Sequence, residues 1–193
     1  MLWLVIGGIG CGKSAFADEL AYAVGREGIR LSCPSFPYGE AAEHPERRSE
    51  TGFFKTLSEA DGTLPDKIDA INLESNFFRA ERRVVVVDSL SGWLRASFAR
   101  SAAQGTDDDA IGFDAAKWER TIQAILAFEG KIIAVTEEPG TGLAPSVREL
   151  EYAGRLAEAN RVLLRASHAV YRVTAGMAVE LKGYRIQERN ERK

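Results

Sequence analysis

A glycine-rich segment near the start of the chain has the residue types and spacing that bind phosphate groups. It matches the pattern G-x-x-x-x-G-K-[ST], and its residues are Gly7, Gly8, Ile9, Gly10, Cys11, Gly12, Lys13 and Ser14. Glycines let successive backbone N–H groups turn towards one anion, and the dipole of a following helix strengthens the attraction. Lys13 would reach the terminal phosphates of a nucleotide, and the Ser14 hydroxyl would bind Mg²⁺. The segment therefore predicts a P-loop that binds ATP or GTP together with magnesium.

The residues on either side of this segment agree with that prediction. Residues 2–6 form an apolar run suited to a buried strand, and residues 14–20 begin a helical pattern. The alternative is a glycine-rich turn that binds nothing. The full spacing, with a strand before it and a helix after it, favours the P-loop.

A second candidate is the acidic residue that ends an apolar strand. Residues 84–87 are four consecutive valines, typical of a strand buried on both faces of a parallel sheet, and Asp88 follows them. In P-loop proteins a carboxylate at such a position holds magnesium, directly or through water. Asp88 also precedes a predicted helix, so a helix N-cap is the alternative. The presence of the P-loop favours the magnesium role.

Apolar strand-like runs alternate with helical patterns along the chain. Strands are predicted at 2–6, 29–33, 53–57, 84–87, 131–136, 169–174 and 178–182, and helices at 13–25, 65–80, 90–103, 113–128 and 147–166. The alternation predicts one α/β domain over residues 1–193. We expect a P-loop NTPase-like, mostly parallel sheet with helices on both faces and an antiparallel strand at its C-terminal end. Ligands bind at the carboxyl ends of such strands, where the P-loop, Asp88 and the 137–145 loop fall.

Composition narrows the class of protein. The chain has 193 residues, of which 45% are hydrophobic and 27% charged, which is ordinary for a globular protein with its own core. A net charge of −3 provides no basic surface for nucleic acid, and no apolar run is long enough to span a membrane. The chain enters a strand and the P-loop at once, so we expect no signal peptide. Cys11 and Cys33 are expected to be reduced thiols in a cytoplasmic protein.

Other P-loop classes fit less well. The Asn-Lys-x-Asp signature of small GTPases is absent, and the D-x-x-G match at 109–112 falls in a polar loop. Residues 90–93 faintly resemble the ABC-transporter signature, but they follow the strand aspartate instead of preceding it. A small-molecule kinase or a nucleotidyltransferase remains.

Four segments, in order, resemble one enzyme family. Residues 88–94, Asp-Ser-Leu-Ser-Gly-Trp-Leu, are similar to the Asp-Cys-Leu-Thr-x-Trp-Leu segment of the bifunctional adenosylcobinamide kinase/adenosylcobinamide-phosphate guanylyltransferases of cobalamin biosynthesis. Residues 5–14, 135–145 and 169–177 resemble its P-loop, its Asn-Glu-containing loop and its Val-Tyr-x-Val ending. The resemblance therefore spans nearly the whole chain.

This resemblance implies two reactions and a set of residues. The family phosphorylates the aminopropanol hydroxyl of the corrinoid adenosylcobinamide with ATP or GTP. It then attaches GMP to a histidine and passes the GMP to the new phosphate. His44 stands in the matching His-x-x-x-Arg context, so it is the implied nucleophile. Arg47 and Arg48 would hold phosphate bidentately in the nucleotide site. Glu59 is also assigned to that site, one position later than the Glu of the family's Trp-x-Thr-x-Glu segment. A neutral imidazole nitrogen can attack the α-phosphorus to form a phosphoramidate. The resemblance also implies a homotrimer.

The sequence departs from the family most strongly before His44. Residues 34–43 contain two prolines where the family has a helix, and residue 137 is Glu instead of Asn. These departures bear on guanylyl transfer more than on nucleotide binding. A solvated loop histidine is the alternative for His44. A monofunctional P-loop kinase and a non-catalytic nucleotide-binding regulator are the alternatives for the chain.

Overall fold

The computed structural model describes residues 1–33, 52–59, 62–74, 81–103, 114–139 and 146–181. Its strands are β1 (Leu2–Gly7), β2 (Glu27–Ser32), β3 (Phe54–Glu59), β4 (Arg83–Asp88), β5 (Lys131–Glu137), β6 (Ala169–Thr174) and β7 (Met177–Glu180). Its helices are α1 (Lys13–Val24), α2 (Leu64–Glu74), α3 (Leu90–Ala103), α4 (Ala115–Leu126) and α5 (Val147–Ala166). None of the helices in these ranges is both long and apolar enough to cross a membrane.

The described strands form one sheet in the order β3-β2-β4-β5-β1-β6-β7. The first six strands in chain order run parallel, and β7 pairs antiparallel with β6. Valines 84–87 and all of β1 are buried, as the continuous apolar runs predict for central parallel strands. The predicted α/β fold class, with its antiparallel C-terminal strand, is confirmed.

The sheet carries one hydrophobic core on each face. On one face, small residues of α1, Ala17 and Ala21, pack in one cluster with Val84 and Val86 of β4. On the other face α2, α3, α4 and α5 contribute large apolar side chains. Trp93 and Trp118 are both buried in this second core, with ring centroids 5.8 Å apart, so they are packing residues.

Most element boundaries agree with the sequence predictions, and α3 and α5 coincide with them. Strand β2 begins earlier than predicted, at Glu27, because residues 27 and 28 pair with residues 83 and 84 of β4. Helix α4 begins later than the predicted residue 113 because the Asp114 side chain caps it, accepting from the backbone N–H of Lys117, and it ends at Leu126 instead of 128. Strand β7 begins and ends earlier than the predicted 178–182, at residues 177–180. The predictions for 34–50, 75–80, 104–109 and 140–145 lie outside the described residues.

Candidate nucleotide-binding site

The glycine-rich loop joins the end of β1 to the start of α1. Gly10 and Gly12 have φ values of 70° and 97°, in the left-handed region that glycine adopts without steric cost. Gly8, Ile9 and Gly10 are exposed. Within the described residues no side chain caps the first turn of α1, so its N–H groups remain available to an anion. This is the geometry that the P-loop pattern predicts.

The Lys13 side chain is folded back beneath this loop. It is 8% exposed, its Nζ donates to the Gly8 carbonyl at 2.5 Å, and Nζ lies 3.9 Å from Cys11 Sγ. An ammonium has three N–H donors, so Lys13 can donate to a phosphate while it keeps its hydrogen bond to the Gly8 carbonyl. The side chain therefore supports the shape of the loop and places a positive charge within it.

The turn between β6 and β7 supports the loop from the other side. Gly176 N donates to the Cys11 carbonyl at 2.9 Å. A Cβ on Gly7 would lie 2.5 Å from the Val173 carbonyl oxygen, and one on Gly12 would lie 3.2 Å from Gly176 Cα. Packing therefore excludes a side chain at Gly7 unless the neighbouring strand shifts, and at Gly12 it leaves little room beside a left-handed backbone. The sequence alone did not indicate either restriction.

Asp88 lies at the carboxyl end of β4, two strands away from the P-loop strand. Strand β5 lies between β4 and β1, so the two strands are about 10 Å apart. The registers set Asp88 level with Val135 and Val135 level with Val5. The helix cap is Ser89, whose Oγ accepts from Gly92 N at 3.2 Å. The N-cap alternative for Asp88 is therefore wrong, and its carboxylate faces a different partner.

That partner is Arg30 of β2. Its guanidinium donates through Nη2 to Asp88 Oδ2 and through Nη1 to Asp18 Oδ1 of α1. Sequence reasoning missed Arg30, although a signal was present: a cation stands between apolar residues in a predicted strand. A charged residue at such a position needs a partner, because burial of an unpaired charge is costly.

Cys33 directly follows β2, at the same end of the strands as Asp88. Its N–H donates to the Asp88 carbonyl at 2.7 Å. Burial raises the pKa of the Cys33 thiol well above its ordinary value, and the nearby Asp88 charge adds to that increase. Cys33 and Cys11 are both free thiols, as the sequence predicts.

The end of β5 carries a hydrogen-bonded network beside the P-loop strand. Asn160 of α5 donates to the Glu137 carbonyl and accepts from the buried Thr136 hydroxyl, both at 2.9 Å. The Glu137 carboxylate accepts from Arg95 at 2.7 Å. Glu137, which replaces the Asn of the resembling family, is thus held by an ion pair to α3.

Glu138 and Arg172 pair with each other in the lining of an open cleft beside the P-loop. Their side chains form an ion pair of 3.0 Å, and each is about half exposed. The cleft, of about 470 Å³, is also lined by Gly8 and Cys11. The Glu138 carboxylate is therefore paired with a cation beside the P-loop.

The remaining predicted residues are only partly described. The backbone of Glu59 ends β3 level with Ser32, which is level with Asp88 on the other side. His44, Arg47 and Arg48 lie outside the described residues. In the described part of the chain, no group of three or more His, Cys, Asp or Glu side chains is arranged to hold a metal.

The oxygen-bearing side chains at this site are compatible with Mg²⁺ bound together with a nucleotide. Magnesium prefers oxygen ligands and commonly uses one or two carboxylates with phosphates and retained waters. The Ser14 hydroxyl and the Asp88 carboxylate are oxygen donors of this kind. Arg30 contacts Oδ2 of Asp88, and Oδ1 is the second oxygen of the same carboxylate.

Comparisons with known proteins identify the family of the chain. Residues 3–181 match the family described as cobinamide kinase / cobinamide phosphate guanyltransferase, which confirms the resemblance. No curated protein sequence matches the chain.

Solved structures share the fold. The chain is similar to an ATPase from the type III secretion system of pathogenic bacteria, with 15% sequence identity and a TM-score of 0.51. The similarity covers 90% of this chain and 52% of that one, so the chain spans about half the length of that ATPase. At this identity the similarity shows a common fold and carries no functional detail.

Proposed function

This chain belongs to the cobinamide kinase / cobinamide phosphate guanyltransferase family, and we propose that it catalyses both reactions. In the first, ATP or GTP phosphorylates the aminopropanol hydroxyl of adenosylcobinamide. In the second, GMP from GTP is transferred to the resulting phosphate. The observation that carries the proposal is the match of residues 3–181 to that family, in a chain whose P-loop is formed.

We propose that the P-loop residues Gly7 to Ser14 bind the nucleotide phosphates. Exposed backbone at Gly8 and Gly10 and the uncapped start of α1 support an anion at this position. Lys13 would neutralise charge on the transferring phosphoryl group. Ser14 and Asp88 would hold Mg²⁺, which supplies further charge neutralisation when bound.

In the kinase step the substrate hydroxyl oxygen forms a bond to the γ-phosphorus. The bond from that phosphorus to the β–γ bridging oxygen breaks, the nucleoside diphosphate leaves, and the hydroxyl proton is lost to solvent. Such a reaction depends mainly on positioning and on charge stabilisation. The fixed loop and the buried cation of Lys13 suit both requirements.

For guanylyl transfer we propose His44 as the nucleophile. An imidazole nitrogen bonds to the α-phosphorus of GTP, pyrophosphate leaves, and the ring proton is lost. A phosphate oxygen of adenosylcobinamide phosphate then bonds to the same phosphorus, the bond to the imidazole breaks, and the ring takes up a proton again. Arg47, Arg48 and Glu59 are proposed to line the nucleotide site, on the strength of the family resemblance in their segments.

The experiment is the intact mass of the protein after incubation with GTP and Mg²⁺. The proposal predicts a GMP adduct on the wild type and none on His44→Ala. His168→Ala is the matched control, because His168 is the other histidine of the chain and lies at the amino end of β6, whereas the P-loop follows the carboxyl end of β1. An adduct that persists in His44→Ala would move the nucleophile elsewhere. No adduct on a wild type that binds GTP would favour a monofunctional kinase.

Assembly and location are also proposed. The family resemblance suggests a homotrimer, which sedimentation equilibrium tests through the mass of the particle. Two free cysteines are in keeping with a cytoplasmic protein.

A further inference from the structure

Arg30 connects several elements near the carboxyl ends of the parallel strands, where the site lies. It is in the middle of β2, between the buried residues Ile29 and Leu31, and its own side chain is 14% exposed. One arm of its guanidinium contacts Asp18 on α1, and the other contacts Asp88 at the end of β4. Its Cζ also lies 5.8 Å from the centre of the Phe54 ring on β3.

These contacts restrict how Arg30 can move. A guanidinium is planar and presents its donors in a rigid fork, so fixing one arm fixes the direction of the other. Hydrogen bonds between two charged groups are stronger than neutral ones. Asp18 and the Phe54 ring therefore hold the fork in the orientation in which it reaches Oδ2 of Asp88.

A carboxylate held through one oxygen has a defined direction for the other. With Oδ2 fixed by Arg30, Oδ1 of Asp88 has a set position relative to the sheet edge. Residues that fix a ligand in this way commonly affect metal binding strongly without touching the metal. Asp18 follows the P-loop by one turn of α1, so the same contact ties Asp88 to the phosphate-binding helix.

We propose that Arg30 is a positioning residue: anchored by Asp18, it orients the Asp88 carboxylate for the magnesium that accompanies the nucleotide. This inference rests on the proposed function, since it assumes a bound Mg²⁺–nucleotide. In this role Arg30 acts through Asp88 and not by contact with the nucleotide or the reacting atoms. Its effect is on how much Mg²⁺ strengthens nucleotide binding.

The chain offers a matched control at the other end of the same two strands. Arg83 begins β4, Glu27 begins β2, and Arg83 Nε donates to Glu27 Oε1 at 3.3 Å. The side chains of this pair are 15% and 22% exposed, close to the values for Arg30 and its partners. Arg83→Met removes a similar ion pair from the same two strands, at their amino ends and therefore away from the site.

The experiment measures the affinity for a fluorescent GTP analogue with excess Mg²⁺ and with EDTA. The ratio of the two dissociation constants reports how far the metal strengthens binding. For Arg30→Met we expect that ratio to fall by about tenfold, with the EDTA affinity nearly unchanged. Arg30→Lys should recover only part of the loss, because the Lys ammonium keeps the positive charge but lacks the second arm of the guanidinium. Asp18→Asn should give an intermediate loss, and Arg83→Met should match the wild type.

Thermal unfolding and circular dichroism identify variants that do not fold. If Arg30→Met fails to fold, Arg30→Lys and Asp18→Asn carry the test, and wild-type ratios in both would overturn the proposal. A folded Arg30→Met with an unchanged ratio would overturn it too. A higher ratio would overturn it by making Arg30 a competitor of the metal. A wild type that binds no GTP with Mg²⁺ would overturn the proposed function and this inference together.

Discussion

The substitution Gly7→Ala tests whether the P-loop is locked against β6. Gly7 is the last residue of β1 and is level with Val173 in the parallel pair of β1 and β6. A Cβ at this position would lie 2.5 Å from the Val173 carbonyl oxygen and 2.7 Å from Cys11 Sγ. The sulfur belongs to a side chain that can turn, but the carbonyl belongs to a paired strand and cannot move without disturbing the sheet.

The expected cost follows from that clash. Inserting one methyl group into a closely packed position costs about 1–3 kcal/mol, because neighbouring groups must shift. A loss of about 2 kcal/mol lowers the Tm of a protein of this size by about 4–8 °C. We therefore expect Gly7→Ala to lower the unfolding free energy of the nucleotide-free protein by about 2 kcal/mol.

Gly8→Ala is the matched control. It adds the same methyl group one residue later, where no atom lies within 4 Å of the new Cβ and the backbone is exposed. Its unfolding free energy should stay within about 0.5 kcal/mol of the wild type. Chemical denaturation of both variants without nucleotide provides the measurement. Equal losses in the two variants, or no loss in Gly7→Ala, would refute the packing argument.

Three further predictions concern the supports around the site. Asn160→Ala should cost about 1–3 kcal/mol in chemical denaturation, since it leaves the buried Thr136 hydroxyl without its acceptor; a loss below that range would mean that another group accepts the bond. Ser146→Ala should cost about 1 kcal/mol, because the Ser146 side chain caps the first turn of α5 by accepting from the backbone N–H of Glu149; an unchanged Tm would contradict it. The Cys33 thiol, whose pKa burial raises well above 9.0, stays protonated when an unfolded thiol ionises. Stability should therefore fall as pH rises through 9.0, and Cys33→Ala should flatten that slope in pH-dependent denaturation.

The sequence predicted the fold because its local signals agree with the sheet. Four successive valines before Asp88 and the helical pattern of residues 147–166 indicate their elements without knowledge of the neighbours. The start of β2 was less visible, because Glu27 and Gly28 are strand residues through their pairing with β4 and, at Gly28, also with β3. A local pattern carries no record of such pairing.

The site was predicted in its parts but not in its contacts. The P-loop pattern specifies residue types along one stretch of chain, so its position is evident from the sequence. The contact between Arg30 and Asp88 depends on β2 lying beside β4, and the support of Cys11 by Gly176 depends on β6 lying beside β1. The order of the strands determines both contacts. The partners are 58 or more positions apart in the sequence, so no local pattern indicates that they meet.

The most direct test of the central claim is the mass of the corrinoid after incubation with the purified protein. Adenosylcobinamide, GTP and Mg²⁺ are supplied together, and Lys13→Ala is run beside the wild type. We predict adenosylcobinamide phosphate early in the reaction and its GDP-linked form later, with neither product formed by Lys13→Ala. A corrinoid that remains unchanged with a wild type that binds GTP would contradict the account.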